Sequence, residues 1–170
     1  AIHLAGELER GLDDIRRSAA RFPSRPRVFF EEWDEPLISG IQWVEELVEV
    51  GGAVPIFPHL RHAALAKDRI VTAAAVRDAA PDVVIAWWCG KKMRRATIEG
   101  RPGWGSVPAV ANGHIYEIKS TYILQPGPAS LTEGVRQLHD LLCRVTGSDP
   151  SSATQTATDV GTVRPLGSQE

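Results

Sequence analysis

The sequence predicts an α/β fold in which a parallel sheet is flanked by helices on both faces, giving three layers. Three observations carry that expectation. Two runs, residues 27–31 and 82–87, are short, aromatic or β-branched, and apolar enough for strands covered on both faces. Segments with apolar residues at helical spacing lie before, between and after them. Strands that alternate with helices assemble into parallel sheets, because each crossover helix returns the chain to the same end of the sheet.

The elements follow in order. Leu4, Leu8, Leu12, Ile15, Ala19 and Phe22 share one stripe of an opening helix that stops at Pro23-Ser24-Arg25-Pro26. That helix has no capping residue at its start, so it reads as the tail of a longer one. Residues 27–31 form the first strand. Ser39 is an N-cap candidate, and Gln42 three residues on completes a capping box. Ile41, Val44, Leu47 and Val48 then face one side of a helix that ends at Gly51-Gly52. An irregular stretch with Pro55 and Pro58 leads to Thr72, which caps a short alanine-rich helix closed before Pro81.

The strand 82–87 comes next, and Cys89-Gly90 turns the chain into a basic helix, 91–99, broken by Gly100-Arg101-Pro102-Gly103. Asn112-Gly113 marks a tight turn before a third strand, 114–118. Gly127 and Pro128 open a last helix, with Leu131, Val135, Leu138, Leu142 and Val145 along one face. From Gly147 onward the chain is Ser, Thr, Gly, Asp and Pro with few large apolar residues, a composition that predicts disorder. The expected division is a helix end at 1–22, a lobe at 26–146 and a tail at 147–170.

Composition narrows the classes of function. A chain of 170 residues fits one domain, and 43% hydrophobic with 24% charged residues excludes wholesale disorder. The net charge of -2, with seven acids and no lysine or arginine between residues 28 and 60, argues against a nucleic-acid partner. No run of ~18 apolar residues predicts a membrane span, and no basic-then-apolar leader precedes Ala1. Cys89 and Cys143 cannot make a disulfide framework.

In open parallel sheets, ligands bind outside the carboxyl ends of the strands. That rule selects Glu31-Glu32-Trp33-Asp34-Glu35, then Trp87-Trp88-Cys89-Gly90-Lys91-Lys92, then Lys119-Ser120-Thr121-Tyr122. Each place sets a large aromatic beside polar groups, as ligand sites do. Trp43 reads as core, whereas Trp33 and Trp88 stand at strand ends where a ring meets a ligand or simply packs. Cys89 has two readings: a reactive or metal-binding thiolate beside Lys91, Lys92, Arg94 and Arg95, or a small residue packed at a turn. His59 and His62 have a spacing that suits two metal ligands, yet no third ligand lies nearby, which favours a surface pair. Glu31 and Glu32 alternate faces on a strand and do not form a facing catalytic pair.

Several strings together carry a resemblance. Phe29-Phe30-Glu31-Glu32-Trp33-Asp34-Glu35-Pro36-Leu37-Ile38-Ser39-Gly40 resembles the start of the C-terminal lobe of cobalamin-binding proteins. These belong to the substrate-binding proteins that serve ABC importers of cobalamin and iron–siderophores. Trp88-Cys89-Gly90-Lys91-Lys92, Arg101-Pro102-Gly103-Trp104 and Leu124-Gln125-Pro126-Gly127-Pro128-Ala129 are similar to three further blocks. Pro108-Ala109-Val110, Asn112-Gly113 and Tyr116-Glu117-Ile118 are similar to the family's last hairpin and strand.

The resemblance covers residues 1–145 and implies one lobe of a two-lobed binding protein. The end of the interlobe helix stands at the N-terminus, and the N-terminal lobe is missing from the chain. It implies a non-catalytic protein with no permanently bound cofactor, clamping cobalamin or another metal chelate as its transported ligand. Its place would be periplasmic or otherwise extracytoplasmic, and its partner an ABC permease. Glu32, Trp33, Asp34, Trp88, Cys89, Lys91, Ser120 and Tyr122 are the implied ligand contacts, with His59 or Cys89 as candidates to approach the metal. In this family a glutamate docks onto the permease; Ala74 stands where that acid is usual, leaving Glu31, Glu32 or Asp34 as substitutes. A ferric siderophore or haem, the latter with His59 or Tyr122 on iron, is the alternative ligand. A thiol enzyme using Cys89 is the alternative of another class. The broken helix predicts a homodimer through Leu4, Leu8, Leu12 and Ile15.

Overall fold

The computed structural model describes residues 2–88, 90–118, 120–123, 125 and 127–149. It begins with helix α1 (Ile2–Ala19), strand β1 (Arg27–Asp34), strand β2 (Leu37–Ser39), helix α2 (Gln42–Gly51) and the short strand β3 (Val54–Pro55). Two 3-10 turns, Pro58–Leu60 and Ala66–Arg69, lead to α3 (Ala73–Ala79) and β4 (Val83–Ala86). After these come α4 (Arg95–Glu99), a 3-10 turn at Trp104–Ser106, α5 (Pro108–Ala111), β5 (Ile115–Glu117) and α6 (Ser120–Ile123). The last helix opens as a π-helical turn, Ser130–Gly134, and continues as α7 (Val135–Thr146).

The sheet order is β2-β1-β4-β5, with β3 against the start of β1. β1, β3, β4 and β5 are parallel, as the alternation of elements predicts. Successive side chains on a strand point to opposite faces, and here both faces are covered. Val28, Phe30, Val83 and Ile85 pack with Ile15 of α1, Val44 and Val48 of α2, and Leu138 and Leu142 of α7. Phe29, Val84 and Ala86 pack on the other side with Val76 of α3, Ile98 of α4 and Ala109 of α5. The three expected layers are present.

Three local expectations yield to tertiary contacts. The first strand does not stop at residue 31, because β2 folds back on it in antiparallel register, pairing Glu31 with Ser39 and Asp34 with Leu37. Ser39 is therefore the end of β2 and not a helix cap. Its hydroxyl donates to the Arg69 carbonyl at 3.3 Å, while α2 starts after Ile41 with no side-chain cap. The expected basic helix 91–99 is helical only from Arg95, leaving Lys91 and Lys92 in the preceding turn. Met93, 2% exposed, is drawn into the core there, and its N–H points to Glu117 Oε1 at 3.4 Å. The last helix keeps a wide first turn where Gly134 passes α6: a Cβ at Gly134 would lie 2.2 Å from the Tyr122 carbonyl oxygen.

Other local signals hold. Thr72 Oγ1 accepts from Ala75 N–H at 3.1 Å, capping α3. Gly52 ends α2 at φ 107°, and a Cβ there would sit 2.6 Å from Phe22 and 2.8 Å from Ala19. The end of α1 rests against that glycine. His139, fully buried in α7, locks the same corner: Nδ1 lies 2.9 Å from the Gly51 carbonyl, Nε2 lies 2.8 Å from Ser18 Oγ, and the ring stacks on Phe22. Ile15 is thus consumed by the core, contrary to the expected dimer stripe. Among the described side chains of α1, Leu4 is an exposed large apolar residue, with Leu8 and Leu12 half-buried. The expected disordered tail lies, from residue 150 on, outside the described residues.

One buried charge in this layer makes stability depend on pH. Burial pushes the Glu45 carboxyl up to about 7, against the pull of Arg61, whose Nε lies 3.5 Å from Glu45 Oε2. Arg61 itself is held mainly by Glu49, at 2.5 Å. A carboxyl whose folded value is raised binds a proton more readily folded than unfolded, so its stabilising share is full below the ordinary carboxylate range. It is lost as pH rises through 7. Relative to Glu45→Gln, the wild type is expected to lose about 2 kcal/mol between pH 5 and pH 8, roughly 4–8 °C in Tm. Melting curves of the two proteins at both pH values check this, and parallel curves would refute it.

Candidate functional site

Parallel strands bring their carboxyl ends to one edge, and here Glu31 of β1, Ala86 of β4 and Glu117 of β5 stand in one row. Beyond that row β1 still carries Glu32, Trp33 and Asp34, because its pairing with β2 keeps it extended. β4 continues into Trp87 and Trp88, with the Trp87 N–H donating to the Glu31 carbonyl at 2.8 Å. Gly90, at φ 69°, then turns the chain back to place Lys91 over the edge.

Each acid of β1 past residue 30 takes a cation from a different part of the chain. Glu31, fully buried, accepts two hydrogen bonds of 2.7 Å from the Arg101 guanidinium and a third from Trp88 Nε1 at 2.9 Å. Such a forked pair is among the strongest polar contacts available, because both oxygens meet a fixed fork of donors. Arg101 lies 4.5 Å above the Trp104 ring, and Trp104 Nε1 donates to the Ala73 carbonyl at 3.1 Å. Glu32 takes Arg69 Nη1 at 2.5 Å, the same nitrogen also donating to the Ser39 carbonyl. Asp34 takes Lys91 Nζ at 2.5 Å, and that ammonium stands 5.0 Å from the Trp88 ring and 6.0 Å from the Trp33 ring.

The structure therefore brings four of the expected residues together: Trp33, Asp34, Trp88 and Lys91. Trp33 is half-buried, with its Nε1 donating to the Glu35 carbonyl at 3.0 Å. Trp88 is 3% exposed and belongs to the apolar layer above α3 and α4, so its ring floors this edge. Glu32 turns away to Arg69. Tyr122 is half-buried on α6, beyond β5. Cys89 lies outside the described residues, as does the side chain of Ser120. Glu31 is unavailable as a substitute docking acid, being fully buried with both oxygens bonded, and the Asp34 side chain, 7% exposed, is paired through one oxygen with Lys91. Glu32 is partly exposed but is taken by Arg69.

Sequence reasoning missed Arg69 and Arg101 as parts of this edge. A signal for them existed: seven acids without a single cation between residues 28 and 60 must find counter-charges elsewhere in the chain. What spacing does not reveal is which arginine comes to which acid.

Other groups are placed elsewhere. A cavity of about 270 Å³ lies away from this edge, between the end of α1 and the end of α2, lined by Arg16, Phe22, Arg25, Glu49 and Val50. Among the described residues no group of three or more His, Cys, Asp or Glu is arranged to hold a metal ion. His59 is exposed on its 3-10 turn, edge-on to Phe57. Burial pushes the Cys143 thiol up to about 11, so this sulfur is a core atom and not a nucleophile. No helix among the described residues is long and apolar enough to cross a membrane.

The result is one sheet with helices on both faces and a polar–aromatic edge at its strand ends. The family model described as periplasmic binding protein matches residues 3–122, and the chain belongs to that family. Solved structures share the fold. The periplasmic vitamin B12-binding protein BtuF of Vibrio cholerae is 21% identical with a TM-score of 0.60, over 83% of this chain and 52% of that one. The periplasmic heme-binding protein BhuT, solved with two hemes, is 23% identical with a TM-score of 0.67, over 85% and 56%. A possible iron-binding protein of Staphylococcus epidermidis is 20% identical with a TM-score of 0.67, over 82% and 54%. The chain spans about half the length of these proteins. No curated protein matches it.

The Glu31–Arg101 pair is testable by its asymmetry. Arg101→Ala strands a buried carboxylate and is expected to cost about 3–5 kcal/mol, whereas the double change Glu31→Met with Arg101→Met recovers most of that loss. Urea unfolding of the three proteins measures it. Equal losses in the single and double variants would show that the pair does not act as a unit.

Proposed function

We propose that this chain is the C-terminal lobe of an ABC-importer substrate-binding protein, holding cobalamin or a related corrinoid at its strand-end edge without chemical change. The observation that carries this reading is the meeting of Trp33, Trp88, Lys91 and Asp34 at the carboxyl ends of β1 and β4. A corrin is a broad disc with apolar faces and an amide fringe. An aromatic wall beside placed polar groups suits both features. Membership of the periplasmic binding protein family and a fold shared with a vitamin B12-binding protein support it. In the whole protein the ligand lies between this lobe and a second one, outside the cytoplasm, and is handed to a permease. Docking there does not use an acid at the start of α3: Ala74 is exposed in that turn, and Asp78, further on, is paired with Arg77.

A second reading keeps the lobe and changes the ligand to haem or a ferric siderophore. It is favoured by the fold shared with the heme-binding protein BhuT, and by Tyr122 on α6 as an oxygen donor for iron.

Titration of the full-length protein with hydroxocobalamin, following tryptophan fluorescence and corrin absorbance together, separates the readings. Saturable quenching is expected. Trp33→Ala is expected to weaken binding by ~2 kcal/mol, about 30-fold, with stability little changed because Trp33 is half-buried. Trp88→Ala is expected to destabilise the lobe as well, since it removes a hydrogen bond from buried Glu31. Absence of saturation together with a Soret shift on adding haem would overturn the corrinoid reading in favour of the second.

A further inference from the structure

Asp34 has one oxygen engaged and one left over. Its Oδ2 takes the Lys91 ammonium at 2.5 Å, while Oδ1 is buried and has no hydrogen-bond partner. The side chain as a whole is 7% exposed, so this is a shielded acceptor at the rim of the sheet. Buried acceptors are nearly always satisfied, and a native exception calls for an explanation. Of the donors on this edge, Trp33 Nε1 serves the Glu35 carbonyl, Trp88 Nε1 and the Arg101 fork serve Glu31, and Arg69 Nη1 and Nη2 serve Glu32, while Arg69 Nε is likewise buried without a partner.

Resting on the corrinoid reading above, we infer that Asp34 Oδ1 accepts a hydrogen bond from an un-ionised donor of the ligand, a side-chain carboxamide N–H, and thereby selects amide-fringed chelates over carboxylate-fringed ones. The chemistry follows from charge and donor count. A carboxamide brings an N–H to an acceptor that lacks one, and its apolar stem lies along Trp33. A ligand carboxylate at the same place brings a second acceptor and a like charge. It meets a lysine already neutralised by Asp34, so nothing there offsets its desolvation. Asp34 is on this account a specificity-determining residue.

Two corrinoids with the same ring and metal make the test: cobinamide, whose side chains are carboxamides, and cobyrinic acid, whose side chains are carboxylates. The full-length protein is titrated with each at pH 7, alongside Asp34→Asn. The wild type is expected to bind cobinamide at least tenfold more tightly. Asp34→Asn frees Lys91 for a ligand carboxylate and is expected to cut that ratio at least tenfold. Equal affinities in the wild type would overturn the inference without recourse to any variant, as would an unchanged ratio in a folded Asp34→Asn. Either result leaves the corrinoid reading standing. Failure of the wild type to bind both compounds would instead overturn the corrinoid reading, and this inference with it.

Discussion

The geometry of the strand-end edge depends on one buried ion pair. Glu31 is a carboxylate in the middle of a sheet, a position that costs several kcal/mol of hydration unless each oxygen is met. Arg101 and Trp88 meet both. Because Arg101 comes from the turn after α4, stacks on Trp104, and Trp104 in turn holds the Ala73 carbonyl, the pair joins β1 to the end of β4 and to the start of α3. The turn that carries Lys91 is positioned between those fixed points. Each of these contacts is made within the lobe itself.

The same pairing pattern sets the charge of the strand end. β1 carries Glu31, Glu32 and Asp34, yet each is neutralised by a cation from a distant segment: Arg101, Arg69 and Lys91. The strand end thus offers ion pairs and aromatic surface in place of a strong local field. At the opposite corner, His139, Ser18 and the Gly51 carbonyl perform the corresponding structural task, fixing α7 and α1 on α2.

Much of this was legible in the sequence, and particular residues show why. The alternation of Val28, Phe29 and Phe30, and of Val83, Val84 and Ile85, announces strands covered on two faces, because a strand's period of two sends neighbours to opposite layers. Thr72 and Gly52 act as their local chemistry predicts. Ser39 does not: a hydroxyl three residues before a glutamine is a valid cap signal, but pairing with Glu31 and a contact to Arg69 outcompete it. Lys91 and Lys92 likewise carry helix-forming propensity that loses to the burial of Met93.

By itself, then, the sequence determined the class of fold, the order of the main strands and helices, and the end of the sheet at which the acids and tryptophans gather. These follow from periodicity and from the polarity of parallel strands, which are properties of short segments. Only the tertiary structure decided which cation serves which acid, that Trp88 is floor and Trp33 is open wall, and that one oxygen of Asp34 is left without a donor. Arg101 is seventy residues from Glu31 and Lys91 fifty-seven from Asp34. Contacts across such distances are chosen by how the layers close, and no local pattern encodes them.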